Sequence, residues 1–178
     1  MAISVNEIRL EPQDVTFNAT DLGSVKDISL NFSTETVVIT ADQFGNQTLG
    51  ERLVAFNCSV SMTLQELSAT NWEKLVGDVA GGKHTPSAGG ATQVVGVGED
   101  KLFKALESFG SSLVLKPSNA TDNLRNITLH KCYPKIGAVS YSGTEISTME
   151  VEFVAVRATA VDSKVNIMSF GDNTQDLS

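Results

Sequence analysis

The residues best equipped for chemistry in this chain are two histidines, two cysteines and a pair of glutamates. His130 and Cys132 stand two apart, and His84 and Cys58 are the only others of their kind. A structural zinc site asks for four ligands in paired short spacings, and one such pair is all there is. Cys58 sits within an apolar alternation and reads as a core residue. Serines are plentiful, yet there is no GxSxG elbow and no Cys–His pair beside a positioned acid. Glu150 and Glu152 are i and i+2 in a strand pattern, so they share a face about 7 Å apart, a separation that carboxylates of a glycoside-cleaving site use. They lack the flanking aromatics and hydrogen-bonding groups that a sugar site needs, so a solvated strand face is the plainer reading. The glycine-rich GGKHTPSAGGAT at 81–92 lacks both GxxxxGK[ST] and a helix start at the right offset for a phosphate cradle, which leaves an exposed loop. No catalytic, metal-binding or cofactor-binding residue is assigned.

The elements that hold these residues are organised around 22–80. From 52 to 66, Val54, Phe56, Cys58, Val60, Met62 and Leu64 alternate with Ala55, Asn57, Ser59, Ser61, Thr63 and Gln65. Period two means a strand with one dry face and one small, polar, uncharged face. It would exceed 30 Å at about 3.3 Å per residue, longer than ordinary strands. Ahead of it, Ile28, Leu30 and Phe32 share a face opposite Asp27, Ser29 and Asn31, and a β-branched run at 37–41 follows. The stretch 42–50, DQFGNQTLG, has the chemistry of a long loop. After the long strand, Thr70 with Glu73 predicts a capping box, and Trp72, Leu75, Val76 and Val79 form one apolar stripe of a short helix over 68–79.

On either side of this block the pattern is mostly extended. Residues 1–21 alternate weakly around Pro12, as an N-terminal arm or edge strand would. Leu102, Phe103, Leu106 and Phe109 before Gly110 predict a second short helix. Residues 113–115 turn into a strand, 117–123 a turn, and 124–133 a strand with Ile127, Leu129 and Tyr133 opposite Thr128, His130 and Cys132. A loop or bent hairpin is expected at 134–143, a second long strand at 146–158 with Glu150 and Glu152 on its polar face, a closing strand at 164–170 and a frayed tail at 171–178. The fold class is mainly β with one or two short helices, a sandwich or barrel in a single domain of 178 residues.

Composition narrows the function. A chain this long can bury roughly 70% of its unfolded surface and needs no staples. Net charge is −8 and only 19% of residues are charged, which argues against tight nucleic-acid binding by lysine and arginine. MAISVNEIRL breaks at Asn6 and Glu7 and does not read as a secretory signal, and no apolar run has the length of a membrane span. The expectation is a chain made in a cytoplasm, with two cysteines suited to a reducing compartment. Six Asn-x-Ser/Thr sequons begin at Asn18, Asn31, Asn46, Asn57, Asn119 and Asn126. With Asn57 inside an expected strand, they read as by-products of an Asn- and Thr-rich composition.

Taken together, the strand 25–32, the Asp42-Gln43-Phe44-Gly45 loop start, the alternating strand to Leu67, the helix 68–79, the KPSNATDN turn, the strand 148–159 and the closing NIMSFGD resemble the tail tube proteins of long-tailed bacteriophages. That family extends to contractile-tail tubes and the tube of type VI secretion systems. The resemblance implies a structural virion protein in which six subunits form a ring. Long strands join an intersubunit β-barrel, and rings stack into the conduit for DNA ejection from the virion tail, assembled in a bacterial cytoplasm. If each subunit lends four strands, the barrel has about 24, with a bore of order 35 Å, wide enough for a hydrated duplex.

Under this reading Glu150, Glu152, Asp27, Ser59, Ser61 and Thr63 face the lumen. Asp42, Gln43, Phe44, Gly45, Asn46 and Gln47 belong to a ring-stacking loop, and Trp72, Leu75, Val76 and Val79 form the core side of an outer helix. Expected partners are sister copies, a tape measure protein, tail terminator and baseplate proteins, and a sheath if the tail contracts; DNA would pass without specific binding, with no membrane involved. The alternative is a monomeric β-sandwich binding module, such as a capsid decoration or adhesin-like domain. It would stay near 19 kDa in solution and has no use for so long a strand.

Overall fold

The computed structural model describes residues 13–41, 47–77, 81–84, 94–97, 105–118, 125–158 and 167–171. Ten strands make up most of it. They are β1 (Gln13–Phe17), β2 (Thr20–Asp21), β3 (Val25–Ala41), β4 (Gln47–Leu64), β5 (Gly81–His84), β6 (Val94–Val97), β7 (Ser111–Pro117), β8 (Ile127–Ser140), β9 (Thr148–Ala155) and β10 (Met168–Phe170). One short helix, α1 (Ala69–Trp72), runs on into a wider π turn over Glu73–Gly77, and a 3-10 turn covers Leu106–Phe109. Eight strands share one antiparallel sheet in the order β2-β1-β7-β8-β9-β4-β3, with β10 added on β8, while β5 and β6 form a separate hairpin. Among the described residues no helix is long and apolar enough to cross a membrane.

The sheet curls because β8 changes partners along its length. Its first residues, Ile127 to Leu129, lie between β7 and β10, whereas from Cys132 onward it pairs with β9. The two arms close over one core. Val15 and Phe17 from β1 meet Val60, Met62 and Leu64 from β4 and Met149, Val151 and Phe153 from β9, with Leu75 and Val76 filling one end. Phe17 and Phe153 place their ring centroids 5.0 Å apart, joining strands far apart in sheet order. Gly23, at φ +72, starts the run into β3, and a side chain there would collide with the Glu66 carboxylate.

Several expectations change. Residues 25–32 and 37–41 are one strand, β3, and 47–50 belong to β4 where a loop is expected. Residues 81–84 are likewise strand, not loop; of the expected second helix the described part, Leu106–Phe109, is a 3-10 turn, and Leu102 and Phe103 lie outside the described residues. Residues 134–140 continue β8 in place of a loop or bent hairpin. Pro134 is tolerated there because the β7 ladder ends at Cys132, so the edge left unpaired needs no N–H from it. The second long strand is shorter, Thr148–Ala155, and leaves Ile146 in a loop. A register shift between Ser111 and Leu113 flips β8, so that Leu129 and Cys132 both reach the core and Tyr133 joins the opposite face.

The helix cap also moves. Ser68, not Thr70, caps α1, accepting from the Asn71 amide at 3.2 Å. Asn71 decides this. Its buried carboxamide donates to the carbonyls of Leu22 and Glu66, both at 2.9 Å, and so ties the helix start to β3 and β4. Asn71→Ala strands two carbonyls and should cost about 2 kcal/mol, read as a lowered urea midpoint with an unchanged slope.

Candidate assembly surface

The β3–β4 hairpin is anchored at one end only. Val25 pairs with Leu64, and the ladder runs to Ala41 opposite Gln47. On its far side β4 pairs with β9 only from Ser59 to Leu64, and β3 is the last strand of the sheet. Beyond Ser33 and Asn57 the hairpin is therefore a two-stranded ribbon with neither edge paired among the described residues. It extends about 30 Å past the sheet at ~3.3 Å per residue. Two-stranded ribbons of this length are not stable in water without something to pack on.

Pairing sorts the ribbon into two faces. Phe32 lies opposite Cys58 and Thr34 opposite Phe56, which continues the core-side face outward. A register shift after Glu35 bulges Val54 and brings Leu53 opposite Thr36, so Leu53 and Val38 extend the same face. The alternation from Val54 to Leu64 thus buries its apolar side only from Cys58 onward. Phe32, Leu53 and Phe56 remain 45%, 61% and 41% exposed. Phe32 stands 5.8 Å from Phe56 and 6.4 Å from Phe170 of β10, centroid to centroid, an aromatic cluster with open sides.

The other face is polar and continuous across four strands. Ser29 pairs with Ser61 and Asn31 with Ser59, Ser61 with Glu152 and Thr63 with Glu150, and Lys135 with Glu152. Asn57 donates to Glu35 at 3.2 Å and Asn31 to Ser61 at 3.4 Å. At the ribbon's root a cleft of about 470 Å³ is lined by Asp27, Ser61, Thr63, Lys135, Glu150 and Glu152. Ser59 borders the adjoining hollow, which shares Lys135 and Glu152. Asp27 reaches the cleft because the chain bulges between Lys26 and Ser29, with φ 55 at Asp27. Asp27, Ser61, Thr63, Glu150 and Glu152 thus line one cleft, with Ser59 in the hollow beside it. Lys135 was missed, although Cys132, Pro134 and Ile136 alternate with Tyr133, Lys135 and Gly137 in strand fashion; the proline masked the pattern.

Trp72 is half-buried against the core and Leu75 and Val76 are buried, while Val79 lies outside the described residues. So do Asp42, Gln43, Phe44, Gly45 and Asn46; Gln47 opens β4. The thiols are placed for packing. Burial pushes the Cys58 and Cys132 thiols up, away from the reactive thiolate, and Cys132 donates to the Ser111 carbonyl at 3.3 Å. Burial also lowers the pKa of His130.

Against solved structures, the chain is similar to one from the PVC sheath-tube complex of an extracellular contractile injection system in its extended state. The match covers 95% of this chain and 99% of that one, with a TM-score of 0.53 and 11% identity. The likeness is one of fold. No family model matches the sequence, and no curated protein does. The mainly β, tube-like fold expected from the sequence is the fold of this chain.

Proposed function

We propose that the chain is a structural tube subunit, six copies of which close a ring around a bore, with rings stacking into the tail tube through which a bacteriophage ejects DNA. The observation that carries this reading is the ribbon: two edges unpaired among the described residues, and an open aromatic face, on a strand pair too long for its own sheet. Open edges of this kind are an aggregation hazard unless a partner covers them. Among the described residues, the β3 edge and the 133–140 edge of β8 are both without a strand partner beyond the β7 ladder, and joining the β3 edge of one copy to the β8 edge of the next closes a barrel without leaving an edge. The polar face spans β3, β4, β9 and the second half of β8, four strands per copy. Six copies then make the roughly 24-stranded barrel whose bore is of order 35 Å.

The polar face turns inward in this assembly, and the aromatic face packs outward against a sister copy. Glu35, Glu150, Glu152 and Asp27 outnumber Lys26, Lys135 and Arg52 there, so phosphates are repelled and a duplex slides without binding. A sheath outside the tube fits the likeness to a sheath-tube complex. Tape measure, terminator and baseplate proteins complete the assembly, whose place is the virion tail.

Electron microscopy of the purified protein is the direct test: rings or tubes support the reading, and a 19 kDa particle at every concentration defeats it. Reversing the face with Glu150→Lys and Glu152→Lys should preserve tubes, because both side chains stay wet, but slow DNA delivery. Unchanged ejection kinetics in that virion would remove the two glutamates from the bore.

A further inference from the structure

Among the described residues β10 pairs with one strand only. Met168, Ser169 and Phe170 lie opposite Leu129, Thr128 and Ile127 of β8. A backbone bond closes each end of this ladder: the His130 amide donates to the Ile167 carbonyl at 3.1 Å, and the Gly171 amide to the Asn126 carbonyl at 2.8 Å. So placed, β10 bridges to the root of the ribbon. Met168 Sδ lies 3.9 Å from Cys58 Sγ of β4, and the Phe170 ring meets Phe32 of β3. A segment this short, held along one edge, opens at far less cost than the whole domain.

The side chains at the junction are polar and yet buried. Asn126 and Thr128 of β8 and Ser169 of β10 share a face with His130, because opposed residues of an antiparallel pair point to the same side. Ser169 Oγ and His130 Nε2 are sealed there without a hydrogen-bond partner among the described residues. A proton on Nε2 would put a cation, and an N–H with no acceptor, into that sealed position. The charged residues on the strands around it do not help. β8 carries Arg125 and Lys131, β7 carries Lys116, Arg157 follows the end of β9, and β10 carries none. The β9 glutamates sit along the other half of β8, where Glu152 opposes Lys135. The π turn adds Glu73 and Lys74, and the 3-10 turn adds Glu107, whose side chain lies outside the described residues. Burial holds the His130 pKa below its ordinary value of 6.5, and no carboxylate counters it.

We propose that β10 is an acid-released clasp, shut while His130 is neutral and undocked from β8 when Nε2 takes a proton. The closed clasp favours the neutral ring. Its hold is therefore full above the ordinary pKa, declines as pH falls through that value, and is weakest once the lowered value is passed. Opening bares Cys58 and more of Phe32 at the ribbon root. The device belongs to the single subunit and does not depend on the tube reading.

The test is amide exchange on the unassembled subunit at about pH 7.5 and about pH 5, each rate divided by its intrinsic rate at that pH. Protection of the His130 and Gly171 amides should fall about fivefold or more in acid, while the amides of β9 keep theirs. A pyridyl disulfide, which reacts with thiols in acid, should modify Cys58 faster at the lower pH and leave Cys132 sealed. His130→Phe should abolish both changes; should it fail to fold, His130→Gln serves, being uncharged at either pH. Equal protection at the two pH values overturns the clasp. So does an acid loss that survives substitution of His130, or one that takes the β9 amides with it.

Discussion

Phe56→Glu yields a folded, soluble subunit that no longer assembles. Phe56 is already 41% exposed on the ribbon, with Phe32 as its aromatic neighbour and Phe170 on the far side of Phe32. In the free subunit the new carboxylate stays in water and the loss is limited to a partial ring contact, within about 1 kcal/mol. In the assembly the same side chain would be sealed against a sister copy. An unpaired buried carboxylate there costs several kcal/mol at every one of the repeated contacts. Sedimentation of the variant should therefore show monomer at concentrations where the wild type is polymeric, while its urea midpoint barely moves. Tubes formed at the wild-type concentration would mean that this face is not an interface.

Phe153→Ala has the opposite profile. Phe153 is fully buried in β9, in register with Val60 on one side and Pro134 on the other, and its ring meets Phe17 across the fold. Emptying that position opens a cavity where the two arms of the curled sheet touch, at a cost of about 3–5 kcal/mol. Domains are stable by only about 5–15 kcal/mol, so much of the margin goes. Urea unfolding at concentrations below assembly should show the drop directly; a loss under about 1 kcal/mol would mean that the arms do not depend on each other. On the proposed tube reading, two phenylalanines near the same strands would thus divide the work, one holding the subunit together and the other holding subunits to each other.

The contrast shows where sequence patterning carries information. From Cys58 to Leu64, and from Met149 to Phe153, the apolar positions alternate because one side of each strand is dry. Parity alone therefore groups Ser59, Ser61 and Thr63, and separately Glu150 and Glu152. The ribbon gives no such contrast. Ser33, Thr34, Glu35 and Thr36 are all exposed, so nothing in their order marks them as the middle of a 17-residue strand. The same run reads as a break between two short strands.

What the amino-acid order determined was the local two-sidedness of the strands, the mainly β class and the membership of each polar face, since these depend only on which side chains tolerate water. Tertiary structure decided the rest. It set β4 beside β9, so that the serine and glutamate faces became one surface, and register shifts, those at Asp27 and Val54 and in β8 among them, reset the parity along the strands. It also ended the ladders of β7 and β9 short of their neighbours, leaving the edges and apolar faces that assembly would use. Those outcomes depend on strand pairing between residues far apart in the chain, and no periodicity within a strand encodes its partner.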